Sequence, residues 1–165
     1  MKLMTIRLAI ANDHGGVDLK KFLMEQDYGI AIEWVNLGTD TTESTDYPDY
    51  SVKLAHCLIA GEADRGVAIC GSGIGISMGL NRFAAIRAAV VTNTTMACLT
   101  RIDNDANVVC LGARTTGNLV AKDCLEAFLK TEFDGIEGGR HLRRVKKLGT
   151  LTQTDQSQTE RTKNE

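Results

Sequence analysis

The chain of 165 residues has few aromatic residues, a single proline and almost no net charge. Aromatic side chains make up 5% of the sequence, so a core must be built largely from Ala, Val, Ile and Leu, which suits a sheet covered by helices. The formal net charge of −2 provides no overall attraction to nucleic acid or to an anionic membrane. A small anionic ligand would therefore have to be held by local basic residues.

Paired cysteines and long apolar runs are also missing. The cysteines are odd in number and contain no C-x-x-C pair, being Cys57, Cys70, Cys98, Cys110 and Cys124. Such a set argues against a disulfide framework and a zinc site, and it favours a reducing compartment. No stretch approaches the ~18 apolar residues of a membrane span, and the apolar start is too short for a signal peptide. We therefore expect a cytoplasmic protein.

Hydrophobic periodicity predicts strands that alternate with helices. The predicted strands are 6–11, 30–37, 66–69, 86–92 and 107–111. The predicted helices are 16–26, 50–60, 74–83, 94–102, 118–129 and 140–148. Strands separated by helix-length segments indicate a parallel sheet with right-handed crossovers. The predicted fold is α/β, a doubly wound five-stranded parallel sheet in three layers.

The composition changes after Leu148. Residues 149–165 are mainly Thr, Gln, Ser, Asp and Lys with a single Leu, which is too polar to contribute to a core. We predict one α/β domain at 1–148 and a disordered tail at 149–165.

The sharpest motif lies at the end of the predicted third strand, where open α/β sheets bind their ligands. Cys70 is followed there by Gly71, Gly73 and Gly75. Such a turn can direct backbone N–H groups at an anion, and a thiolate would be favoured beside it. A base next to an oxyanion cradle is what proton abstraction beside a carbonyl requires. The alternative is that Cys70 is a small buried hydrophobic residue.

Other functions for this turn stay open at the level of residue patterns. The turn matches neither G-x-x-x-x-G-K-[ST] nor G-x-G-x-x-G, and no acidic residue ends the next strand, which weakens dinucleotide binding. For a Cys–His acyl or phosphoryl transferase the candidate partners are His14 and His141, but no spacing puts either beside Cys70. A non-catalytic sugar-phosphate or nucleotide-binding module is a further alternative.

Two further motifs carry charge. Asp13 and His14 end the first predicted strand and suit sugar hydroxyls or phosphate, although Asp13 could equally cap the following helix. Arg140 and Arg144 lie four apart on one helix face and could both bind a phosphate, or they belong to a solvated basic helix end. The basic segment is short and lacks interleaved aromatic residues, which argues against a nucleic-acid partner.

Together these segments resemble the ribose 5-phosphate isomerase B family, which also contains the galactose 6-phosphate isomerase subunits. The matching motifs stand in the family's order over residues 5–148 and are Asp13-His14-Gly15-Gly16, Asp46-Tyr47-Pro48, Gly61-Glu62-Ala63-Asp64, Cys70-Gly71-Ser72-Gly73-Ile74-Gly75, Asn104-Asp105-Ala106-Asn107, Leu111-Gly112-Ala113-Arg114 and Gly138-Gly139-Arg140-His141. The resemblance implies a Rossmann-like fold, a homodimer or dimer of dimers, and no metal or other cofactor.

The resemblance also implies an activity. The family interconverts aldose and ketose phosphates through a cis-enediolate, here D-ribose 5-phosphate and D-ribulose 5-phosphate of the non-oxidative pentose phosphate pathway. Ribose 5-phosphate is favoured because Cys70, Arg140 and Arg144 occur in one chain. In the galactose 6-phosphate enzyme these roles are divided between two different subunits.

The roles of individual residues follow from the resemblance. Cys70 is implied as the base, with Ser72 and the N–H groups of the glycine-rich turn stabilising the enediolate. The implied substrate-binding residues are Asp13, His14, Tyr47, Gly71, Ser72, Gly73, Gly75, Ser77, Asn104, Arg114, Arg140 and Arg144. The family's site is shared between subunits, so some of these residues would serve the neighbouring protomer's site.

One position departs from the family's pattern. Many members carry a histidine, assigned to opening the furanose ring, just before the Asn-Asp-x-Asn segment, and here that residue is Asp103. A carboxylate is a poor proton donor at neutral pH unless its pKa is raised. The catalytic acid for ring opening could be Asp13 or Asp103, or ring opening could be left to solution.

Overall fold

The computed structural model describes residues 5–151, so most of the predicted tail lies outside the described part of the chain. The strands are β1 (Thr5–Asn12), β2 (Ala31–Asn36), β3 (Arg65–Cys70), β4 (Ala88–Val90) and β5 (Val108–Gly112). The helices are α1 (Val17–Met24), α2 (Tyr47–Ile59), α3 (Ile74–Leu80), α4 (Thr94–Ile102), α5 (Asn118–Lys130) and α6 (Arg140–Thr150), with a 3₁₀ turn at His14–Gly16.

The strands form one parallel sheet in the order β2-β1-β3-β5-β4. β1, β3 and β5 lie at its centre, while β2 and β4 are its edges. Every predicted strand is present, and each is followed by a helix as parallel connections require. The predicted doubly wound α/β fold is therefore confirmed.

Side chains of the central strands alternate between two faces, and each face is covered by its own helices. The larger side chains face α1, α4 and α5, and they are Leu8, Ile10, Val67, Ile69, Val109 and Leu111. Mostly smaller ones face α2 and α3, and they are Ala9, Ala11, Ala68, Cys70, Val108 and Cys110. The result is the predicted three-layer arrangement, with an aliphatic core in which Tyr28 and Phe128 are the buried aromatic residues of the first face.

Several boundaries differ from the sequence-based prediction, those of α2, α3 and β4 among them. α2 begins at Tyr47 rather than at residue 50, because Pro48 fits the first turn of a helix, where no N–H partner is needed. α3 ends at Leu80 rather than at residue 83, where the N–H of Phe83 donates to the Leu80 carbonyl in a turn. β4 is shorter than 86–92, since the N–H of Ile86 is used in a turn with Phe83.

α6 starts at Arg140 as predicted and continues to Thr150, just past the predicted domain boundary at 148. α6 follows the segment after α5, and its N-terminal end lies at the edge of the sheet where the strands begin. None of the helices between residues 5 and 151 combines the length and the apolar character that a membrane span would need.

Candidate active site at the carboxyl edge of the sheet

Parallel pairing brings the turns after β1, β3 and β5 together at one edge of the sheet. Asn12 is in register with Ile69, and Cys70 is in register with Gly112. Beyond the strands, the Asp13 N–H donates to the Ile69 carbonyl at 3.3 Å and the Ala113 N–H donates to the Cys70 carbonyl at 2.9 Å. Three turns that are distant in sequence are therefore joined directly around Cys70.

The turn after Cys70 is fixed by a left-handed glycine. Gly73 has φ of +76° and precedes α3, and its N–H donates to Cys70 Sγ at 3.2 Å. A β-carbon on Gly73 would lie 3.0 Å from the backbone carbon of Leu111, so a side chain would push the turn off β5. The sulfur, which belongs to a residue only 4% exposed, is thus held in a defined place at the strand end.

Hydrogen-bond donors in this turn are left open. The N–H groups of Gly71 and Ser72 donate to no residue between 5 and 151. Ser72 Oγ accepts the Ile74 N–H at 3.3 Å, so the hydroxyl proton is still available to a ligand. Donors beside a sulfur are what an oxyanion formed next to Cys70 would need.

A second cysteine on the same face of the sheet has a different environment. Cys110 lies on β5, is fully buried and has no exposed surface. Burial raises the pKa of the Cys110 thiol, with the neighbouring Cys70 adding to the effect. Cys110 therefore stays a neutral part of the core, whereas Cys70 stands at the strand end among polar groups.

Arg114 bridges two of the three turns. A β-carbon on Gly71 would lie 3.6 Å from Arg114 Nη1, and one on Gly15 would lie 3.9 Å from Nη2. The guanidinium thus lies beside the backbone of both turns, and Arg114 itself is exposed. Asp13 is 7% exposed and its Oδ1 accepts the Gly15 N–H at 2.9 Å. The helix-cap interpretation of Asp13 is confirmed for this oxygen.

His14 is held by Thr45 from the loop before α2. The Thr45 N–H donates to His14 Nδ1 at 3.1 Å, and the His14 N–H donates to Thr45 Oγ1 at 3.1 Å. Nδ1 also lies 3.2 Å from the Thr45 carbonyl oxygen, but the Thr45 N–H has no other acceptor among residues 5–151. We therefore expect Nδ1 to accept this N–H, with the proton of the neutral ring on Nε2. Nε2 is therefore a donor that a phosphate or hydroxyl group could use.

A buried lysine anchors the same loop. Lys20 of α1 is 3% exposed, and its Nζ donates to the Thr39 carbonyl at 2.7 Å and to Asp40 Oδ1 at 2.6 Å. The hydrogen bond from Lys20 lowers the pKa of Asp40. Asn12 Nδ2 adds a bond to the Thr39 carbonyl at 3.1 Å. The sequence patterns did not single out Lys20, Asn12 or Thr45, because their partners are distant in sequence.

Tyr47 and Ser77 flank the turn on the α2 and α3 side. A β-carbon on Gly75 would lie 2.8 Å from Tyr47 Cζ, so the tyrosine ring packs on the backbone of Gly75. Ser77 is 8% exposed and donates its hydroxyl proton to the Ile74 carbonyl at 2.7 Å. Tyr47 is thus placed to line a pocket, while the Ser77 hydroxyl is used within the helix.

The remaining predicted site residues lie at the opposite edge. Asp103 and Asn104 follow α4 and lead into the start of β5, and Arg140 begins α6 at that same edge. His141 joins the two segments, with Nδ1 at 3.5 Å from Asp103 Oδ1. A strand of the length of β5 spans ~16 Å at about 3.3 Å per residue. The structure therefore divides the predicted site residues into a carboxyl-edge group around Cys70 and an amino-edge group comprising Asp103, Asn104, Arg140 and Arg144.

A groove lies at the amino edge. It has a volume of about 790 Å³ and is lined by the α3–β4 connection, by β4, by Asn104 and by Leu148 and Leu151 at the end of α6. Cys70 does not line it. Within residues 5–151, no group of three or more His, Cys, Asp or Glu side chains is arranged to hold a metal ion.

Similarity to known proteins covers almost the whole described chain. A family model described as Ribose/Galactose Isomerase matches residues 8–148. Ribose-5-phosphate isomerase B of Escherichia coli is 38% identical over 147 residues, 89% of this chain and 97% of that protein. A putative sugar phosphate isomerase of Bacillus subtilis, YwlF, is 40% identical over 144 residues, 87% of this chain and 95% of that protein.

Two solved structures have the same architecture. Ribose-5-phosphate isomerase B of Clostridium thermocellum is 43% identical with a TM-score of 0.79, over 88% of this chain and 97% of that one. The type B ribose 5-phosphate isomerase of Trypanosoma brucei is 39% identical with a TM-score of 0.82, over 90% of this chain and 100% of that one.

The hydrogen bond from Thr45 generates a prediction about His14. The spectra are recorded at a pH of about 8, above the pKa of ~6.5 of a free imidazole. In long-range ¹H–¹⁵N spectra, His14 should then give the pattern of the Nε2–H tautomer. The exposed His56, whose ring packs edge-on to Phe83 and makes no hydrogen bond to residues 5–151, serves as the reference for a ring whose tautomer no hydrogen bond sets. A His14 signal with the proton on Nδ1 would contradict this assignment and show that the ring donates to the Thr45 carbonyl.

Proposed function

Because the chain belongs to the ribose/galactose isomerase family, we propose that it interconverts D-ribose 5-phosphate and D-ribulose 5-phosphate, a step of the non-oxidative pentose phosphate pathway. The observation that carries the proposal is Cys70 itself. Its sulfur is held by the Gly73 N–H at 3.2 Å, next to N–H donors that have no partner in the described chain. A proton carrier beside an oxyanion cradle is the machinery of an aldose–ketose isomerase.

In the proposed mechanism Cys70 moves one proton. Its thiolate takes the proton from C2 of the open-chain aldose, which leaves a cis-enediolate. The thiol then returns the proton to C1 while a hydroxyl proton passes from O2 to O1, and the ketose is formed. The N–H groups of Gly71 and Ser72 and the Ser72 hydroxyl would bind the enediolate oxygens, where each donor contributes a factor of ~10² to 10³ in rate.

The substrate would be held by both groups of residues. On the carboxyl edge, His14 and Arg114 would bind the phosphate, and Tyr47 would line the sugar pocket above Gly75. On the amino edge, Arg140 and Arg144 would complete the phosphate site with Asn104 nearby. Ring opening is left to Asp13 or to solution, and Ser77 would support the turn from within α3.

Such a site requires two copies of the chain. The two groups lie at opposite edges of one sheet, so the amino-edge residues of a second copy must meet the carboxyl edge of the first. We propose a homodimer, or a dimer of two such dimers, with shared active sites. Exposed apolar side chains on α3 and α4 support this assembly, with Ile74 50%, Met78 61%, Met96 41% and Leu99 47% exposed. Ile74 lies between Gly73 and Gly75 at the start of α3, so a partner that covers it would reach the substrate.

The competing acyl or phosphoryl transferase is disfavoured by the histidines. His14 Nδ1 is bonded to Thr45 and His141 Nδ1 lies against Asp103, whereas the hydrogen bond described for Cys70 Sγ comes from Gly73. A Cys–His nucleophile needs an imidazole on the sulfur. A mobile proton on Cys70 also requires a free thiol, which a reducing cytoplasm maintains.

Cys70→Ala is expected to abolish the isomerisation of ribose 5-phosphate while the protein stays folded, because the substitution removes the proton carrier from a small site at a strand end. Turnover should fall by at least ~10² to 10⁴, measured as ribulose 5-phosphate formed alongside circular dichroism. Cys98→Ala, at a half-buried thiol of α4, is the matched control and should keep its activity. Near-normal turnover of Cys70→Ala would refute the assignment of the base.

Arg140→Ala and Arg144→Ala are expected to raise KM for ribose 5-phosphate by about tenfold or more, with a smaller change in kcat. The reason is that phosphate contacts bind substrate and transition state alike. Arg143→Ala removes the same charge from an exposed position of α6 and should leave KM unchanged. A loss of kcat without a change in KM would contradict a phosphate-binding role.

The sugar preference of the unmodified chain can be measured in the same assay by comparing ribose 5-phosphate with allose 6-phosphate and galactose 6-phosphate.

A further inference from the structure

Asp103 and His141 form a pair at the amino edge that the proposed mechanism leaves without a defined task. Asp103 ends α4 and is partly exposed, whereas His141 lies in the first turn of α6 and is 8% exposed. His141 Nδ1 lies 3.5 Å from Asp103 Oδ1 and 3.4 Å from the Asp103 carbonyl oxygen. The carboxylate is therefore turned toward a buried imidazole.

The other ring nitrogen of His141 holds an arginine. Arg140 Nε donates to His141 Nε2 at 3.1 Å. A guanidinium is always protonated and has no acceptor, so Nε2 must be the acceptor. The neutral ring then carries its proton on Nδ1, pointing at the two oxygens of Asp103. Asp134 Oδ2 is the other carboxylate near the ring, 4.0 Å from Nε2.

The hydrogen bond from Arg140 Nε to His141 Nε2 sets the orientation of the Arg140 guanidinium group. With Nε fixed on His141, the plane of the guanidinium is set, and neither Nη group makes a hydrogen bond to residues 5–151. Two parallel N–H donors on a planar group match two oxygens of a phosphate. A long side chain that is already ordered loses less rotamer freedom on binding, which is worth about 3- to 10-fold in affinity.

We propose that His141 and Asp103 are positioning residues for the phosphate group of the substrate. His141 Nε2 holds Arg140, and Asp103 sets the tautomer of His141 that makes Nε2 an acceptor. This inference rests on the proposed function, since it concerns the same phosphate site. It gives Asp103 an orienting task in place of proton transfer during ring opening.

Substitutions at His141 test the first contact. His141→Ala should raise KM for ribose 5-phosphate by about 3- to 10-fold, with kcat changed by less than about twofold. His141→Gln can offer an amide oxygen near the position of Nε2 and should recover most of the affinity. His141→Asn is shorter, reaches only toward the position of Nδ1, and should resemble His141→Ala. Equal KM values for the Gln, Asn and Ala variants would overturn the proposal.

Substitutions at Asp103 separate positioning from proton transfer. Asp103→Asn keeps an acceptor oxygen for Nδ1–H, so kcat and KM should both stay within about twofold of the unmodified chain. Asp103→Ala should raise KM, and it should add nothing further when His141 is already Ala, because its effect passes through the imidazole. A kcat loss of ~10² or more in Asp103→Asn would identify Asp103 as the proton donor and overturn the proposal.

Two measurements that do not depend on catalysis, the tautomer of His141 and the binding of inorganic phosphate, test this inference separately from the proposed function. In long-range ¹H–¹⁵N spectra His141 should carry its proton on Nδ1, the opposite of His14, and the dissociation constant of inorganic phosphate should rise in His141→Ala. Both results are expected even if the chain isomerises no ribose 5-phosphate, which would refute the proposed function alone. A His141 proton on Nε2, with active enzyme, would refute the positioning role alone.

Discussion

The parallel pairing of β1, β3 and β5 is the constraint on which the rest of the site depends. Parallel strands end at the same edge of a sheet, and the register that matches Cys70 with Gly112 brings the turns after these strands into contact. Each turn supplies a different group, namely the carboxylate and imidazole after β1, the thiol of β3 and the guanidinium after β5. The same pairing sends the segment before β5 to the other edge. Asp103 and Arg140 are therefore separated from Cys70 by the length of the sheet, and this division follows from topology.

Backbone contact between the turns makes the cradle rigid. A β-carbon on Gly112 would lie 2.7 Å from the backbone carbon of Ser72, and one on Gly73 would lie 3.0 Å from the backbone carbon of Leu111. The turn that carries the open N–H groups thus packs directly against the backbone at the end of β5. Donors that are fixed before the reaction need no reorganisation when charge develops. Lys20 and Thr45 extend this order to the loop that orients His14.

The sequence predicted much of the fold because its signals were local. Each strand is a short apolar run and each following helix has its own periodic apolar face, so the elements and the Cys70 turn were recognisable. β4 was overestimated, since apolar character at 86–92 does not reveal that Ile86 is used in a turn. The tertiary contacts could not be predicted. Thr45 meets His14, and Asp103 meets His141, across 31 and 38 positions of chain, and no periodicity reports such distances.

The central claim is that one active site combines Cys70 of one copy with Arg140 of another. A hybrid dimer of a Cys70→Ala chain and an Arg140→Ala chain, purified through two different tags, tests it directly. If the site is shared, one site of the hybrid has both native residues and the other has neither, so the account predicts about half the turnover of the unmodified dimer at an unmodified KM. If each site were built from one chain, the hybrid would contain one site without a base and one site with the raised KM of Arg140→Ala. A folded hybrid with only that raised KM would contradict the account.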